Sequence, residues 1–307
     1  MAKQRKLDVG AINITIHPHT AARYVSMFKQ ASRQRITANI GYKHLAIITG
    51  VSSFDPLLRD AVDAPIQGDI VKFTDIDLDG PWLNLENNQE AEESDLESIN
   101  IPEHLKPNMS RFRFVFFPEK HILFYEAYDR GTVLNPNVAT RIFKSIFANS
   151  DIVSVYGDVN VTHIPKEDAV EVALKTPRVS SVKFKVTRPN ADHFKEQEAE
   201  FLAKLNSLHV AEVKQEYKAI NGKSIVMDRS MTTLAKIAAN NGRFELKGRD
   251  DNNKVVNFST VSHPMIETVF FNPKRETVLS FLYKTALKIW KRYRCQPNKQ
   301  TELRPHL

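Results

Sequence analysis

The feature that most constrains the fold is a pair of strand-like runs, Arg111-Phe-Arg-Phe-Val-Phe-Phe and His121-Ile-Leu-Phe-Tyr-Glu-Ala-Tyr, separated by Pro118-Glu-Lys. Both runs are rich in aromatic and β-branched residues, and the first begins with polar and apolar residues in alternation, which is typical of strands. The short proline-containing turn predicts that the two runs pair as an antiparallel hairpin. A sheet is therefore required in any fold of this chain.

Helices with one apolar face accompany this hairpin. Tyr24, Met27, Phe28 and Ala31 recur at helical spacing between Ala21 and Arg33, and Thr20 is a suitable N-cap. Further helices are predicted at 136–148, 191–206, 231–240 and 276–294. Further strands are predicted at 7–17, 44–51, 67–74, 152–161, 179–186, 208–220, 244–248 and 255–261.

The order of these elements predicts an α+β protein built from two similar halves. Both halves open with a strand, a proline turn, a helix and a strand, and "ITIHPHTAARYVSMF" and "FKVTRPNADHFKEQE" place the proline alike. Two ferredoxin-like or RRM-like units with antiparallel sheets are the simplest account. The predicted boundaries are 1–165, with an acidic insertion at 75–110, then 176–272, and a basic C-terminal helix and tail at 273–307.

Positive charge is concentrated in the last of these segments. The net charge is +7, and residues 274–307 alone contain nine Lys/Arg against two Glu, which accounts for the whole excess. Clustered cations sum into a local positive potential, whereas scattered ones do not. A polyanion is the partner that this distribution favours.

The predicted helix 276–294 separates an apolar stripe from a row of cations. Leu279, Leu282, Tyr283, Ala286, Leu287, Trp290 and Tyr293 form the stripe. The candidate phosphate contacts are Lys284, Lys288, Lys291, Arg292 and Arg294. Alternatively, these cations merely solvate the helix and favour its C-terminal end, or they face an acidic protein or an anionic membrane surface.

Two further cations, Arg111 and Arg113, lie on the predicted hairpin, together with Lys120, Tyr125 and Tyr128. An RRM-like sheet binds RNA through such strand residues. Arg111 and Arg113 are therefore added to the candidate nucleic-acid contacts.

An acidic loop matches the calcium-binding pattern D-x-D-x-D-G-x5-E at Asp75, Asp77, Asp79 and Glu86. Alternating carboxylates suit a hard cation such as calcium or magnesium. A strand precedes this loop where an EF-hand has a helix, and Pro81 and Trp82 follow the glycine, so a solvated acidic turn is the competing interpretation.

The sequence lacks the motifs of several common enzyme classes. The chain contains no nucleophile elbow, Walker loop, zinc-protease or C-x-x-C motif, and His17-Pro-His19-Thr20 lacks the second histidine motif that a two-histidine phosphoesterase needs. Cys295 is the only cysteine, which fits a reducing cytoplasm. No apolar segment is long enough for a signal peptide or a membrane span. A cytoplasmic protein without an identifiable catalytic centre is expected.

Several stretches resemble an uncharacterised bacterial family of about this length that is defined only as a domain of unknown function. They are "RKLDVGAINITIHPHT", "GDIVKFTDID", "PWLN", "INIPEHLKPN" and "RFRFVFFPEKHILF". The resemblance implies a setting, because members occur in variable genomic regions that also carry restriction and phage-defence genes. It implies no catalytic residues.

The charge distribution thus favours a nucleic-acid-binding protein without catalysis of its own, and the resemblance implies a setting in bacterial antiphage defence. A metal-dependent nuclease or phosphodiesterase that uses the acidic loop is one alternative. A protein-interaction subunit of a defence complex is the other.

Overall fold

The computed structural model describes residues 4–58, 61, 63–77, 80–97, 99, 101–187 and 196–294. Helices and antiparallel sheets make up this part of the chain, so the predicted α+β class is confirmed. The strands in chain order are β1 (Arg5–Thr15), β2 (Ala38–Gly41), β3 (His44–Ser53), β4 (Ile66–Thr74), β5 (Leu83–Asn84), β6 (Gln89–Glu90), β7 (Ser110–Phe117), β8 (Ile122–Glu126), β9 (Tyr128–Asp129), β10 (Thr132–Val133), β11 (Asn160–His163), β12 (Arg178–Thr187), β13 (Glu212–Lys218), β14 (Gly242–Arg249), β15 (Val255–Ser259) and β16 (Ile266–Phe271).

The helices carry the apolar faces that the sequence predicts. In α1 the buried residues are Tyr24, Met27, Phe28 and Ala31, the four of the predicted stripe. The helices in chain order are α1 (Ala21–Arg33), α2 (Glu93–Leu96), α3 (Pro136–Phe147), α4 (Ser150–Tyr156), α5 (Glu167–Leu174), α6 (Glu196–Ser207), α7 (Arg229–Asn241) and α8 (Val278–Arg294).

The larger sheet has the strand order β11-β1-β8-β7-β4-β3-β2, and β16 also pairs with β1. Each of these pairings is antiparallel. The part β11-β1-β8-β7, with α1 and α3 in its connections, corresponds to a ferredoxin-like unit. The strands β2, β3 and β4 extend this unit beyond β7.

Helices cover both sides of the larger sheet. Successive side chains of a strand point to opposite sides, so an apolar strand such as β1 provides a core surface on each side. On β1, Ile12 and Ile14 pack with α1 and α3 in one core cluster. Leu7, Val9 and Ala11 pack in a second cluster that contains Leu282 and Ala286 of α8. We call the side covered by α8 the α8 side.

Two glycines allow aromatic rings to lie directly over the backbone of neighbouring strands. Gly10 of β1 is paired with Tyr125 of β8, and Gly68 of β4 is paired with Phe114 of β7. A Cβ atom at Gly10 would lie 2.3 Å from Cζ of Tyr125, and one at Gly68 would lie 2.6 Å from Cζ of Phe114. Any larger residue at either position would displace a buried ring.

The smaller sheet has the order β13-β12-β14-β15 and is covered by α7. Its order differs from that of the larger sheet, so the similarity between the two halves does not extend to strand topology. The next strand, β16, leaves this sheet and pairs with Arg5–Gly10 of β1. Residues from the second half of the chain therefore complete the first sheet.

The strand predicted from Ile152 to Val161 is wrong. Residues Ser150–Tyr156 form α4, and the side chain of Asn149 caps it by accepting a hydrogen bond from the backbone N–H of Asp151. Gly157, with φ 73°, ends the helix, and β11 begins only at Asn160. The local capping residues override the β-branched composition of this segment.

Candidate functional site

The helix α8 binds the larger sheet through its apolar stripe. Leu282 and Ala286 are fully buried, as the sequence predicts, and the stripe also includes Ile289. The ring of Tyr283 stacks on Phe54 with 4.1 Å between centroids. Burying an aliphatic side chain such as Leu282 or Ile289 contributes roughly 1.5–3 kcal/mol, so the packing of this stripe fixes α8 on the sheet.

The four described cations of α8 face solvent, but two of them are already paired with carboxylates. Nζ of Lys284 lies 2.9 Å from Oε1 of Glu276, and Arg292 contacts Glu267 of β16. Lys288 and Lys291 are exposed, and neither forms an ion pair within the described part of the chain. Arg294 is the last residue of α8, and its side chain lies outside the described residues. The row of cations is thus present, with Lys288 and Lys291 as its unpaired members.

These surface pairs remain available to other anions. The side chains of Lys284 and Arg292 are 55% and 59% exposed. An exposed ion pair stabilises a protein by at most about 1 kcal/mol, so a phosphate group competes readily with its carboxylate.

Four arginine side chains surround a cavity of about 380 Å³ at the end of β7. Its walls come from β1, β7 and the β9–β10 hairpin, and we call it the arginine pocket. The residues that line it are Arg5, Met109, Ser110, Arg111, Arg113, Asp129, Arg130 and Thr132.

The alternation of β7 places two of the predicted contacts in this pocket. Phe112 and Phe114 are buried in the α1–α3 cluster, so Arg111 and Arg113 point to the α8 side. Tyr125, which the RRM-like interpretation places beside them, is fully buried in the α1–α3 cluster, so that part of the interpretation is wrong.

A buried carboxylate, Glu126, lies beneath the pocket. Its side chain is fully buried, and its oxygens lie 3.1 Å from Nη2 of Arg5 and 3.5 Å from Nη1 of Arg113. It also accepts a hydrogen bond of 3.4 Å from the backbone N–H of Arg113. Burial raises the pKa of Glu126, and the two guanidinium groups partly offset this effect.

Sequence reasoning missed both Glu126 and Arg5. A usable signal existed, since Glu126 is the one acidic residue within the apolar run of the second hairpin strand. A charge in such a position requires a partner, because burying it unpaired costs several kcal/mol. The position of that partner, 121 residues away on β1, is set only by the fold.

Two further carboxylates adjoin these arginines. Asp129 lies 3.6 Å from Arg5, and Asp69 lies 3.7 Å from Arg111. Partial burial raises the pKa of Asp69, with Arg111 and Arg113 acting in the opposite direction. No carboxylate partner is recorded for Arg130 among the described residues.

The acidic loop holds lysines where the sequence predicts a metal. Asp75 lies 2.5 Å from Nζ of Lys106, and Asp77 lies 2.7 Å from Nζ of Lys43. Asp79 lies outside the described residues. Glu86 is exposed in the turn between β5 and β6.

Within the described ranges, no group of three potential His, Cys, Asp or Glu ligands converges. Calcium or magnesium binding by this loop therefore stays a prediction without structural support.

Comparison with known families matches residues 5–287 to the model of a family described as a domain of unknown function, DUF4747. The match runs from the start of β1 into α8 and includes the four arginines of the pocket. No curated protein matches the sequence. No helix in the described part of the chain is long and apolar enough to cross a membrane.

Proposed function

The chain belongs to the DUF4747 family, and we propose that it is a nucleic-acid-binding protein that contacts backbone phosphates with the α8 side of its larger sheet. The contacts we propose are Lys284, Lys288, Lys291, Arg292 and Arg294 of α8, with Arg111 and Arg113 of β7. The setting we propose is bacterial antiphage defence, because the sequence resembles a family found beside restriction and phage-defence genes.

One observation carries this proposal: two separate groups of cations lie on the same side of one sheet. Arg113 precedes Phe114, which pairs with Tyr125, so Arg113 lies opposite Glu126 of β8. Glu126 pairs with Val9 of β1, and Val9 pairs with Glu267 of β16, which contacts Arg292. Three steps between adjacent strands span roughly 14 Å. That distance equals the axial rise of about four nucleotides along one strand of a duplex. A single nucleic-acid segment therefore suffices to contact both groups.

The binding energy in such a complex comes mainly from released counterions. Each phosphate that a cation neutralises lowers the slope of log K against log salt concentration by about 0.9 for duplex DNA. The four described cations of α8 differ in how much each is expected to gain from contacting a phosphate. Among the residues that the structure describes, Lys288 and Lys291 have no carboxylate partner to give up, whereas Lys284 and Arg292 exchange one anion for another.

The experiment measures the salt dependence of duplex DNA binding by fluorescence anisotropy. The double variant Lys288→Gln/Lys291→Gln is expected to weaken binding and to make the slope shallower by about 1.8, which is two contacts of about 0.9 each.

The matched control is Lys214→Gln/Lys218→Gln on β13, which removes the same charge from the smaller sheet, where both lysines are exposed. Binding by this control should equal that of the unaltered protein. Equal losses in the two variants would show that net charge alone matters, and would remove α8 as the interface. Absence of binding to DNA and RNA at low salt would end the proposal.

A further inference from the structure

We propose that the arginine pocket is a binding site for a phosphate monoester, such as the terminal phosphate of a nucleic-acid strand. This inference rests on the proposed function only for the source of that phosphate. The pocket differs from the exposed row on α8 because it is a cavity, and a cavity admits the end of a strand more readily than its continuous backbone.

The charge of the pocket lining favours an anion. Its lining contains four arginines and one carboxylate, Asp129, and two further carboxylates, Glu126 and Asp69, contact the same arginines, so four minus three leaves +1. A monoester carries up to two negative charges at neutral pH, whereas an internal diester carries one. The remaining positive charge favours an anion, and a monoester gains more from it than a diester because it carries more negative charge.

The pocket also holds more hydrogen-bond donors than its own carboxylates use. Each guanidinium group has five N–H donors in a planar fork that matches phosphate oxygens. Arg111 contacts Asp69 only at 3.7 Å, beyond hydrogen-bonding distance, and Arg130 has no recorded carboxylate partner in the described ranges. These two arginines therefore present free donors to the cavity.

The other two arginines are held in place from below. Glu126 contacts both Arg5 and Arg113 from its buried position. Fixing a long side chain before the ligand arrives lowers the entropy that binding has to overcome. The buried glutamate is, on this reasoning, a positioning residue for the pocket and not a ligand contact.

Hydroxyl groups and a tight turn complete the walls. Oγ of Ser110 lies 3.2 Å from Oγ1 of Thr132, so a hydroxyl pair faces the same cavity. Arg130 and Gly131, with φ 45° and 88°, form the two central positions of the β9–β10 turn. Positive φ at both central residues is the mark of a type I′ hairpin turn, which places Arg130 at the tip beside the cavity.

The test compares three single-stranded oligonucleotides of one sequence, carrying a 5′-phosphate, a 3′-phosphate or no terminal phosphate. Anisotropy titrations with the full chain are expected to show about tenfold tighter binding to at least one phosphorylated strand. Arg111→Gln and Arg130→Gln should each abolish most of this preference. Both side chains are exposed, so neither variant is expected to lose its fold, and thermal denaturation verifies this.

A variant of opposite sign sharpens the test. Asp129→Asn keeps the shape of the side chain but removes the carboxylate from the lining, so it should increase the preference for the phosphorylated strand severalfold. Lys288→Gln/Lys291→Gln should weaken binding of all three strands and leave the ratio between them unchanged. Inorganic phosphate should compete with the phosphorylated strand at lower concentration than chloride does.

The outcomes separate the two proposals. Equal affinity for all three strands by the unaltered protein overturns the pocket proposal and leaves the α8 interface untouched. A preserved preference in Arg111→Gln and Arg130→Gln also overturns it. If the preference exists but Lys288→Gln/Lys291→Gln binds normally, the pocket stands and the α8 interface fails.

If no strand binds, the readout becomes the melting temperature in inorganic phosphate. A rise that Arg111→Gln abolishes supports the pocket, and no rise overturns it.

Discussion

The hydroxyl group of Tyr125 gives a stability prediction that can be derived directly from the structure. Tyr125 is fully buried, and its hydroxyl has no hydrogen-bond partner among the described residues. Burial also raises the pKa of this group, so the neutral phenol persists at every ordinary pH. A buried polar group without a partner costs about 1–3 kcal/mol relative to water.

Replacing Tyr125 by Phe removes that cost and leaves the ring over Gly10. The loss of contacts made by one oxygen atom offsets part of the gain, so we expect the free energy of unfolding to rise by about 1 kcal/mol. With a urea m-value of about 3 kcal/mol/M for a protein of this size, the unfolding midpoint should move up by about 0.3 M. Circular dichroism in a urea titration measures this shift.

Tyr24 provides the matched control, because it is equally buried but hydrogen-bonded. Its hydroxyl accepts a hydrogen bond of 3.1 Å from the backbone N–H of Ile16. Tyr24→Phe should therefore lower the free energy of unfolding by about 1–2 kcal/mol. If Tyr125→Phe lowers stability by as much as Tyr24→Phe does, the hydroxyl of Tyr125 is hydrogen-bonded in solution and the reasoning is refuted.

Three further changes should alter stability in defined ways. Gly10→Ala places Cβ against the ring of Tyr125 and should cost about 3 kcal/mol in urea unfolding, so unchanged stability would contradict the close approach. Leu282→Ala should cost about 3 kcal/mol by the same assay and loosen α8, which faster hydrogen exchange in α8 would report. Burial lowers the pKa of His163 to about 4, so the unfolded chain binds a proton from about pH 6.5 downwards while the folded chain does not. The free energy of unfolding should therefore fall as the pH falls from 6.5 to 4. The variant His163→Gln should lose about 2 kcal/mol less over this range, after allowance for the partial exposure of the side chain. An identical pH profile in the variant would contradict the lowered pKa.

The local parts of the fold could be predicted from sequence because local signals determine them. Thr20 and the helical spacing from Tyr24 to Ala31 define α1 at the bounds that the structure shows. The hairpin of β7 and β8 follows from its aromatic alternation and its turn at Pro118. In contrast, the β-branched and aromatic run Ile266–Phe271 has the composition of a strand, but only the fold shows that it pairs with β1 in the larger sheet.

The candidate site could be predicted only in part, for a similar reason. The cations of α8 and the pair Arg111 and Arg113 follow from composition and alternation. Their partners do not, since Glu267 is 25 residues from Arg292 in sequence and meets it only through the sheet. The pocket itself depends on Arg5, which enters from a strand over a hundred residues away in the chain.

The pairing of β1 with β16 has a consequence for synthesis on the ribosome. Oγ1 of Thr268 donates a hydrogen bond of 2.6 Å to Oδ1 of Asp8, across a sequence separation of 260 residues. During translation, the Arg5–Gly10 edge of β1 stays unpaired until β16 has left the exit tunnel. The apolar surface beneath α8 stays exposed for longer, because α8 follows β16 in the chain. Until then the nascent chain presents an open strand edge of the kind that recruits other chains. Rapid completion of each chain, or a chaperone bound to that edge, would shorten this exposure.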